Sequence, residues 1–446
     1  MGYTQEYKQK LKTPEEAAKV VKSGDWVDYG FGLNMPNLFD KELAKRKEEL
    51  KDIKIRGLLS LRPIAVVECD PQRETFTYNS WHMSGYERKL HDKGLCNYIP
   101  MTYRYKPALY RNHLNVNVAC ICVSPMDNHG YFSFSFSNSA TKAILDKADF
   151  VILEVNEQHP KVFGGQEECV HISEVDMVIE GPHDPPAELP AAAVTEDDIK
   201  VADLVVSELV DGATIQLGIG GMPKAIGDKI AESDLKDLGM HTEMLVDSYL
   251  DMYRNGRLTN RRKNIDKNKG VWSICMGSKA LYEWIAENSG LASYPIDYVN
   301  SPDNMSKNDN LMTINNCIEV DLFGQTCAES SGIRNISGSG GQLDFLTGGF
   351  MSKGGKSFIC MRSTFFNKKT NQLESRIVPT LPAGGIVTDP RSQAYYLVTE
   401  WGIKNLAGRS TWERAEAIIS LAHPDFRDKL IHEAESMNIW RYSNRR

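Results

Sequence analysis

One pattern occurs twice in this chain and restricts its fold more than any other feature. Residues 20–43 read as the end of a helix, a Ser23-Gly24-Asp25 turn and a strand. Gly30-Phe31-Gly32-Leu33-Asn34-Met35-Pro36 and a second helix follow. Residues 209–230 repeat those events with Asp211-Gly212, a strand from Ala213, then Gly218-Ile219-Gly220-Gly221-Met222-Pro223 and a helix. Leu50-Lys51-Asp52 is echoed by Leu235-Lys236-Asp237, each leading into an apolar strand. A repeat of this kind predicts two copies of one fold. Strands alternating with helices imply parallel sheets joined by right-handed crossovers, which take ligands at the carboxyl ends of their strands.

The 446 residues exceed one ordinary core and suit two large domains. The boundary falls in 179–190, where Pro182, Pro185, Pro186 and Pro190 remove backbone donors and disfavour helix. Thr195 then offers an N-cap, Glu196, Asp197 and Asp198 supply first-turn acids, and Ile199, Ala202, Val205 or Val206, and Leu209 follow at helical spacing. The expected domains are therefore 1–188 and 189–446. The later half reads as glycine-punctuated strands through 332–364 and 384–399, then helices opened by a Ser410/Glu413 capping box.

A hydrophobic fraction of 41 % and a charged fraction of 25 % belong to a globular protein and exclude a disordered or fibrous chain. The net charge is −7 and basic residues are dispersed except between 254 and 269, which argues against a nucleic-acid partner. No signal core opens the sequence and no apolar run reaches the length of a membrane span, so a cytoplasmic protein without a membrane partner is expected. Nine scattered cysteines fit reduced thiols. Cys120-Ile121-Cys122 lacks the spacing of a zinc knuckle and reads as buried residues of a strand; no metal site is expected.

Gly218-Ile219-Gly220-Gly221-Met222 follows the apolar strand 213–217 and leads into a helix at Pro223. Without Cβ atoms at 218, 220 and 221, backbone N–H groups can face an anion near a helix N-terminus. Three readings stand: a dinucleotide fingerprint with Pro223 in place of its third glycine, a plain strand-to-helix turn, and a loop for CoA or an acyl oxyanion. The next predicted strand, 240–246, carries Glu243 among apolar residues. A buried unpaired carboxylate is costly, so Glu243 belongs at the strand's carboxyl end or in a cavity. By itself such a glutamate is an ion-paired or solvated residue. One crossover after the glycine turn, it meets that turn at one sheet edge and becomes a candidate nucleophile. His241 would point to the opposite face.

A third glycine cluster spans 337–357 and suits either close approach to a ligand or bare hairpins. Lys356 and the basic run Arg254, Arg257, Arg261, Arg262 and Lys263 could meet phosphates, with solvated surface as the plainer reading. Metalloprotease, Walker and serine-elbow motifs do not occur.

Six ordered segments, 218–222, 241–244, 318–321, 339–345, 375–379 and 422–427, together resemble the acetyl-CoA hydrolase/transferase family, with coverage from end to end. The resemblance implies two similar open α/β/α domains with the active site at their interface. It makes Glu243 the catalytic glutamate, Gly218, Ile219, Gly220, Gly221 and Met222 the CoA and oxyanion loop, and Ile318 and Gly341 further CoA contacts. It implies ping-pong chemistry through a glutamyl-CoA thioester. CoA is then a substrate and no cofactor is permanently bound. The implied partners are a short-chain acyl-CoA, such as butyryl-CoA, and a carboxylate such as acetate. Transfer to 4-hydroxybutyrate, propionate or succinate, and hydrolysis, are the alternatives; from another class, a non-catalytic CoA-binding protein. A homo-oligomer is expected. Phe31, Leu33 and Asn34 suit an acyl-pocket wall or ordinary core packing.

Overall fold

The computed structural model describes residues 2–190 and 192–441. They form two compact units. Unit 1 comprises Met1–Pro190, Glu243–Asp247 and Gly270–Asn300; unit 2 comprises Ala191–Thr242, Ser248–Lys269 and Ser301–Arg446. The expected division after residue 188 kept Glu243 with the second part of the chain. Its segment instead packs in unit 1, where Met244, Ile274, Met276 and Ile296 join an apolar cluster with Phe31, Trp81 and Ile121.

Unit 1 is built on strands β1 (Leu11–Lys12), β2 (Trp26–Asp28), β3 (Ile53–Gly57), β4 (Phe76–Ser80), β5 (Asn97–Tyr98), β6 (Val116–Val123), β7 (Ala148–Val155) and β8 (Met177–Glu180). They lie in the order β1-β8-β7-β6-β2-β3-β4-β5, every pair parallel. Helices cover both faces of such a sheet, so its central strands are apolar on both sides. In β6, Val118 and Cys120 enter one cluster while Ala119, Ile121 and Val123 enter the other. Burying Ile121 alone contributes about 1.5–3 kcal/mol. The chain winds from β2 toward β5 and then from β6 the other way, which makes the carboxyl ends of β2 and β6 the switch point.

Unit 2 carries β9 (Thr214–Leu217), β10 (Gly239–Met240), β11 (Leu311–Asn316), β12 (Lys356–Cys360), β13 (Tyr396–Thr399) and β14 (Gly402–Asn405). Their order is β10-β9-β11-β12-β13-β14, parallel until the final hairpin. The switch point here lies between β9 and β11.

Local signals in the sequence act as expected. Thr195 caps the helix Glu196–Val206 in a capping box with Asp198, and Ser410 does the same with Glu413. Ile199 differs, standing exposed on the outer face while Val201, Ala202 and Val205 are buried. Two elements depart from expectation. Residues 342–351 form a helix, Gln342–Met351, where strands were predicted. Its Gly348 and Gly349 are packing positions, since a Cβ there would come within 2.2 Å of Met305 Sδ and 2.3 Å of Ser357 Oγ. The strand predicted over 240–246 is broken, because Met240 pairs with Ile215 whereas Met244 pairs with Ile274.

Candidate active site

Glu243 sits on the bend between these pairings, half-buried. Its carbonyl accepts from Ser273 N–H at 3.2 Å and Ile274 N–H at 3.0 Å. Its carboxylate Oε2 accepts from Asn300 Nδ2 at 2.6 Å, a bond of charge-assisted length. Asn300 is fully buried, and its Oδ1 finds no partner among the described residues. It lies at the end of the short helix Ile296–Val299, where its own N–H donates to Ile296 carbonyl at 2.9 Å.

The remaining groups close a ring. Ile296 N–H donates to Ser139 carbonyl at 2.8 Å, and Ser139 N–H donates to Ser273 Oγ at 3.1 Å. Ser139 adopts φ of +47°, a left-handed conformation that L residues rarely take unless their surroundings over-determine it. Its Oγ lies 2.7 Å from the hydroxyl of Tyr103. Burial, and after it the negative charge of Glu243, pushes the Tyr103 phenol well above its ordinary value. Tyr103 therefore stays protonated, and every neighbour named here is neutral. None of Tyr103, Ser139, Ser273 and Asn300 was singled out from the sequence. The alternation Ser133-Phe134-Ser135-Phe136-Ser137-Asn138-Ser139 was the one available signal, since hydroxyls between buried rings must face something polar.

The other predicted residues lie in unit 2. Gly218 N–H donates to Ile314 carbonyl at 2.8 Å, continuing the β9–β11 ladder. The turn is open: Ile219 is 43 % exposed, Gly220 has φ of +112°, and no described side chain caps the helix Gly221–Glu232 that follows. Gly221 is demanded by close approach, as a Cβ would come 2.5 Å from the carbonyl oxygen of Ala193. Ile318 lies two residues past β11, its N–H donating to Cys327 carbonyl at 2.7 Å and its carbonyl accepting from Arg376 at 2.9 Å. Gly341 precedes the helix Gln342–Met351, which leads into β12, so its N-terminus faces the carboxyl edge that the 218–222 turn also occupies. Beside it, Asp389 accepts from Gln342 Nε2 and Thr326 Oγ1, both at 2.6 Å, while burial pushes its carboxyl up to about 6.

The corresponding turn of unit 1 is closed. Asn34 is buried and donates its amide to the carbonyls of Cys122 and Phe134, each at 2.7 Å. Glu154, near the end of β7, accepts from the N–H groups of Asn37, Leu38 and Phe39 at 3.0, 3.0 and 3.2 Å. Phe31 belongs to the core, whereas Leu33 lines a cavity of about 260 Å³ with Leu61, Arg62, Cys122 and His159. Cys122 Sγ and His159 Nε2 are 3.6 Å apart, but burial pushes the thiol well up and the imidazole down to about 3. That pair is neutral and not an activated nucleophile.

Lys263, expected on the surface, is buried and donates to the carbonyls of Met240 at 3.0 Å and Lys269 at 2.7 Å. Lys356 pairs with Glu208 at 2.6 Å. Cys120 and Cys122 are buried thiols of β6. No helix among the described residues is long and apolar enough to cross a membrane.

Residues 1–190 match the acetyl-CoA hydrolase/transferase N-terminal domain and residues 277–434 the C-terminal domain. The chain is 51 % identical to the butyryl-CoA:acetate CoA-transferase of Anaerostipes caccae, covering 100 % of both. It is 52 % identical to the probable butyrate:acetyl-CoA coenzyme A-transferase of Syntrophomonas wolfei, over 99 % of this chain and 98 % of that one. Among solved structures, RipA from Yersinia pestis superposes with a TM-score of 0.90 at 34 % identity, over 98 % of this chain and 100 % of that one. The 4-hydroxybutyrate CoA-transferase from Porphyromonas gingivalis gives 0.78 at 32 % identity with the same coverage.

Proposed function

Because this chain belongs to the acetyl-CoA hydrolase/transferase family, we propose that it moves CoA from a short-chain acyl-CoA, butyryl-CoA foremost, to acetate through a thioester on Glu243. The observation that carries this reading is the Glu243 carboxylate, half-buried on a bend and oriented by Asn300 at 2.6 Å. A carboxylate freed of part of its water and fixed in direction is a competent nucleophile toward a thioester.

In the first half-reaction a Glu243 oxygen bonds to the acyl carbon and the C–S bond breaks, leaving CoA thiolate and a mixed anhydride. The thiolate then bonds to the glutamyl carbon and the acyl group leaves as its carboxylate. Acetate retraces the path from the glutamyl-CoA thioester. Each addition places negative charge on a carbonyl oxygen, which backbone N–H groups of an uncapped turn such as 218–222 are suited to hold. Gly218, Ile219, Gly220, Gly221 and Met222 take that role in this reading, and Ile318 and Gly341 take CoA contacts. CoA is a substrate, and the enzyme works in the cytoplasm.

Incubation with butyryl-CoA, reduction with borohydride and peptide mapping test the assignment. Modification is expected within 240–246 and absent in Glu243→Gln, which folds but loses exchange by roughly 1,000-fold or more. A label elsewhere, or an active Glu243→Gln enzyme, removes the reading. Rates with and without acetate separate transfer from hydrolysis.

A further inference from the structure

Water is present at about 55 M, so an enzyme that passes CoA to an acid must hold that acid against the glutamyl thioester. The groups around Glu243 in unit 1 bear on how this is done. Tyr103 is a buried member of an apolar cluster with Phe31, Trp81, Met101, Met244 and Met276. Its hydroxyl meets Ser139 Oγ at 2.7 Å, and Ser139 is fixed in its left-handed conformation by Ser273 on one side and Ile296 on the other. A short-chain acid has the same two parts, an apolar tail and an oxygen pair that only accepts hydrogen bonds.

We propose that Tyr103, seated on Ser139, is the residue that selects the acceptor: its phenol O–H binds the carboxylate of the incoming short-chain acid beside Glu243. Either hydroxyl of this pair can donate, and when Ser139 Oγ donates to the phenol oxygen the phenol proton is left for the acid. This assignment rests on the glutamyl-thioester reading above. In the step it serves, a carboxylate oxygen of the acid bonds to the glutamyl carbonyl carbon, the C–S bond breaks and its electron pair leaves on the thiolate. No proton moves, and Tyr103 keeps its own. Attack by water must release protons to a base. Asn300, Tyr103, Ser139 and Ser273 are an amide, a phenol held protonated and two hydroxyls, so the named surroundings supply donors for an anion and no base for water.

The full-length enzyme and Tyr103→Phe are compared in three measurements: the KM for acetate, the ratio of hydrolysis to transfer, and the glutamyl-CoA thioester trapped by borohydride without acceptor. Loss of one hydrogen bond to a charged group predicts an acetate KM raised about tenfold or more and a higher hydrolysis ratio. The final amount of trapped thioester and the KM for butyryl-CoA should stay within about twofold, because Tyr103 meets an acid only as its free carboxylate and butyrate has departed once the thioester stands alone; the KM for butyrate in the reverse direction should rise with that for acetate. Ser139→Gly, which tolerates the positive φ and removes the hydroxyl, should move acetate KM in the same direction and serves if Tyr103→Phe does not fold. An unchanged acetate KM and hydrolysis ratio overturns the proposal. Equal loss of trapped thioester also overturns it, since Tyr103 would then act on Glu243 itself. Failure to trap the thioester in the wild-type enzyme removes the glutamyl reading, whereas a labelled Glu243 with an unmoved acetate KM removes only the Tyr103 assignment.

Discussion

At the switch point of unit 1 the turn 30–36 is largely buried and its outgoing amides are taken by Glu154, while in unit 2 the turn 218–222 exposes Ile219 and Gly220 and its helix start is uncapped among the described residues. Both turns follow a parallel strand and lead toward a helix, and both contain a glycine with positive φ. What separates them is one side chain two strands away. β7 presents Glu154 near its carboxyl end, and the strand in the corresponding place, β12, ends Phe358-Ile359-Cys360 with no carboxylate. An internal acid occupies the position where a helix N-terminus would otherwise attract an anion from solution. Duplicating a backbone therefore does not duplicate a binding site. The chemistry resides in whether a neighbour fills it.

The largest expected effect comes from unsealing the first turn. Glu154→Ala leaves the amides of Asn37, Leu38 and Phe39 without their acceptor and should cost about 4 kcal/mol in denaturant unfolding. Glu154→Gln should recover part of that loss, and unchanged stability in both variants would break the contrast.

Burial raises the carboxyl of Glu154 despite its three N–H donors, and it raises that of Asp389, beside the start of the helix Gln342–Met351, as well. Asp389 Oδ1 has no partner among the described residues, and burial raises its carboxyl from 3.8 to about 6. A carboxyl raised on folding contributes stability below its unfolded value and loses it as pH climbs through the folded one. That is about 3 kcal/mol lost between pH 4 and pH 7. Asp389→Asn should flatten this part of the stability profile; the same pH dependence in the variant would rule Asp389 out as its source.

Smaller is the effect of Gly220→Ala in the open turn. At φ of +112° a Cβ forces the backbone to shift, and activity should fall about 100-fold, near 2.7 kcal/mol at the transition state. Stability should change by about 1–2 kcal/mol, the cost of local strain. A variant that loses stability but keeps its turnover would make this turn structural, like its counterpart.

Much of the architecture was legible because its signals are local. Thr195 with Asp198 and Ser410 with Glu413 declare helix starts within four residues, and both glycine turns stand where their strands end. The helix Gln342–Met351 was not legible, since Gly348 and Gly349 argue against helix until Met305 and Ser357 are seen pressing on them. Glu243 could be singled out by its setting among apolar residues near a glycine turn. Tyr103, Ser139, Ser273 and Asn300 could not, because each is ordinary in its own neighbourhood. Hydrogen bonds between segments far apart in the chain give them meaning. The break in 240–246 is of the same kind, set by two pairing partners that no window of sequence contains.

The chain passes between the two units at residues 190, 242, 247, 269 and 300. During synthesis, a ribosome that has delivered the first 190 residues has made most of unit 1 but not Met244, Ile274, Met276 or Ile296, which complete one of its apolar clusters. That surface waits uncovered for at least another hundred residues, some seconds at ordinary elongation rates. The surroundings of Glu243 are thus among the last parts of unit 1 to close, and the order of translation sets when a nascent chain is most open to aggregation or in need of a chaperone.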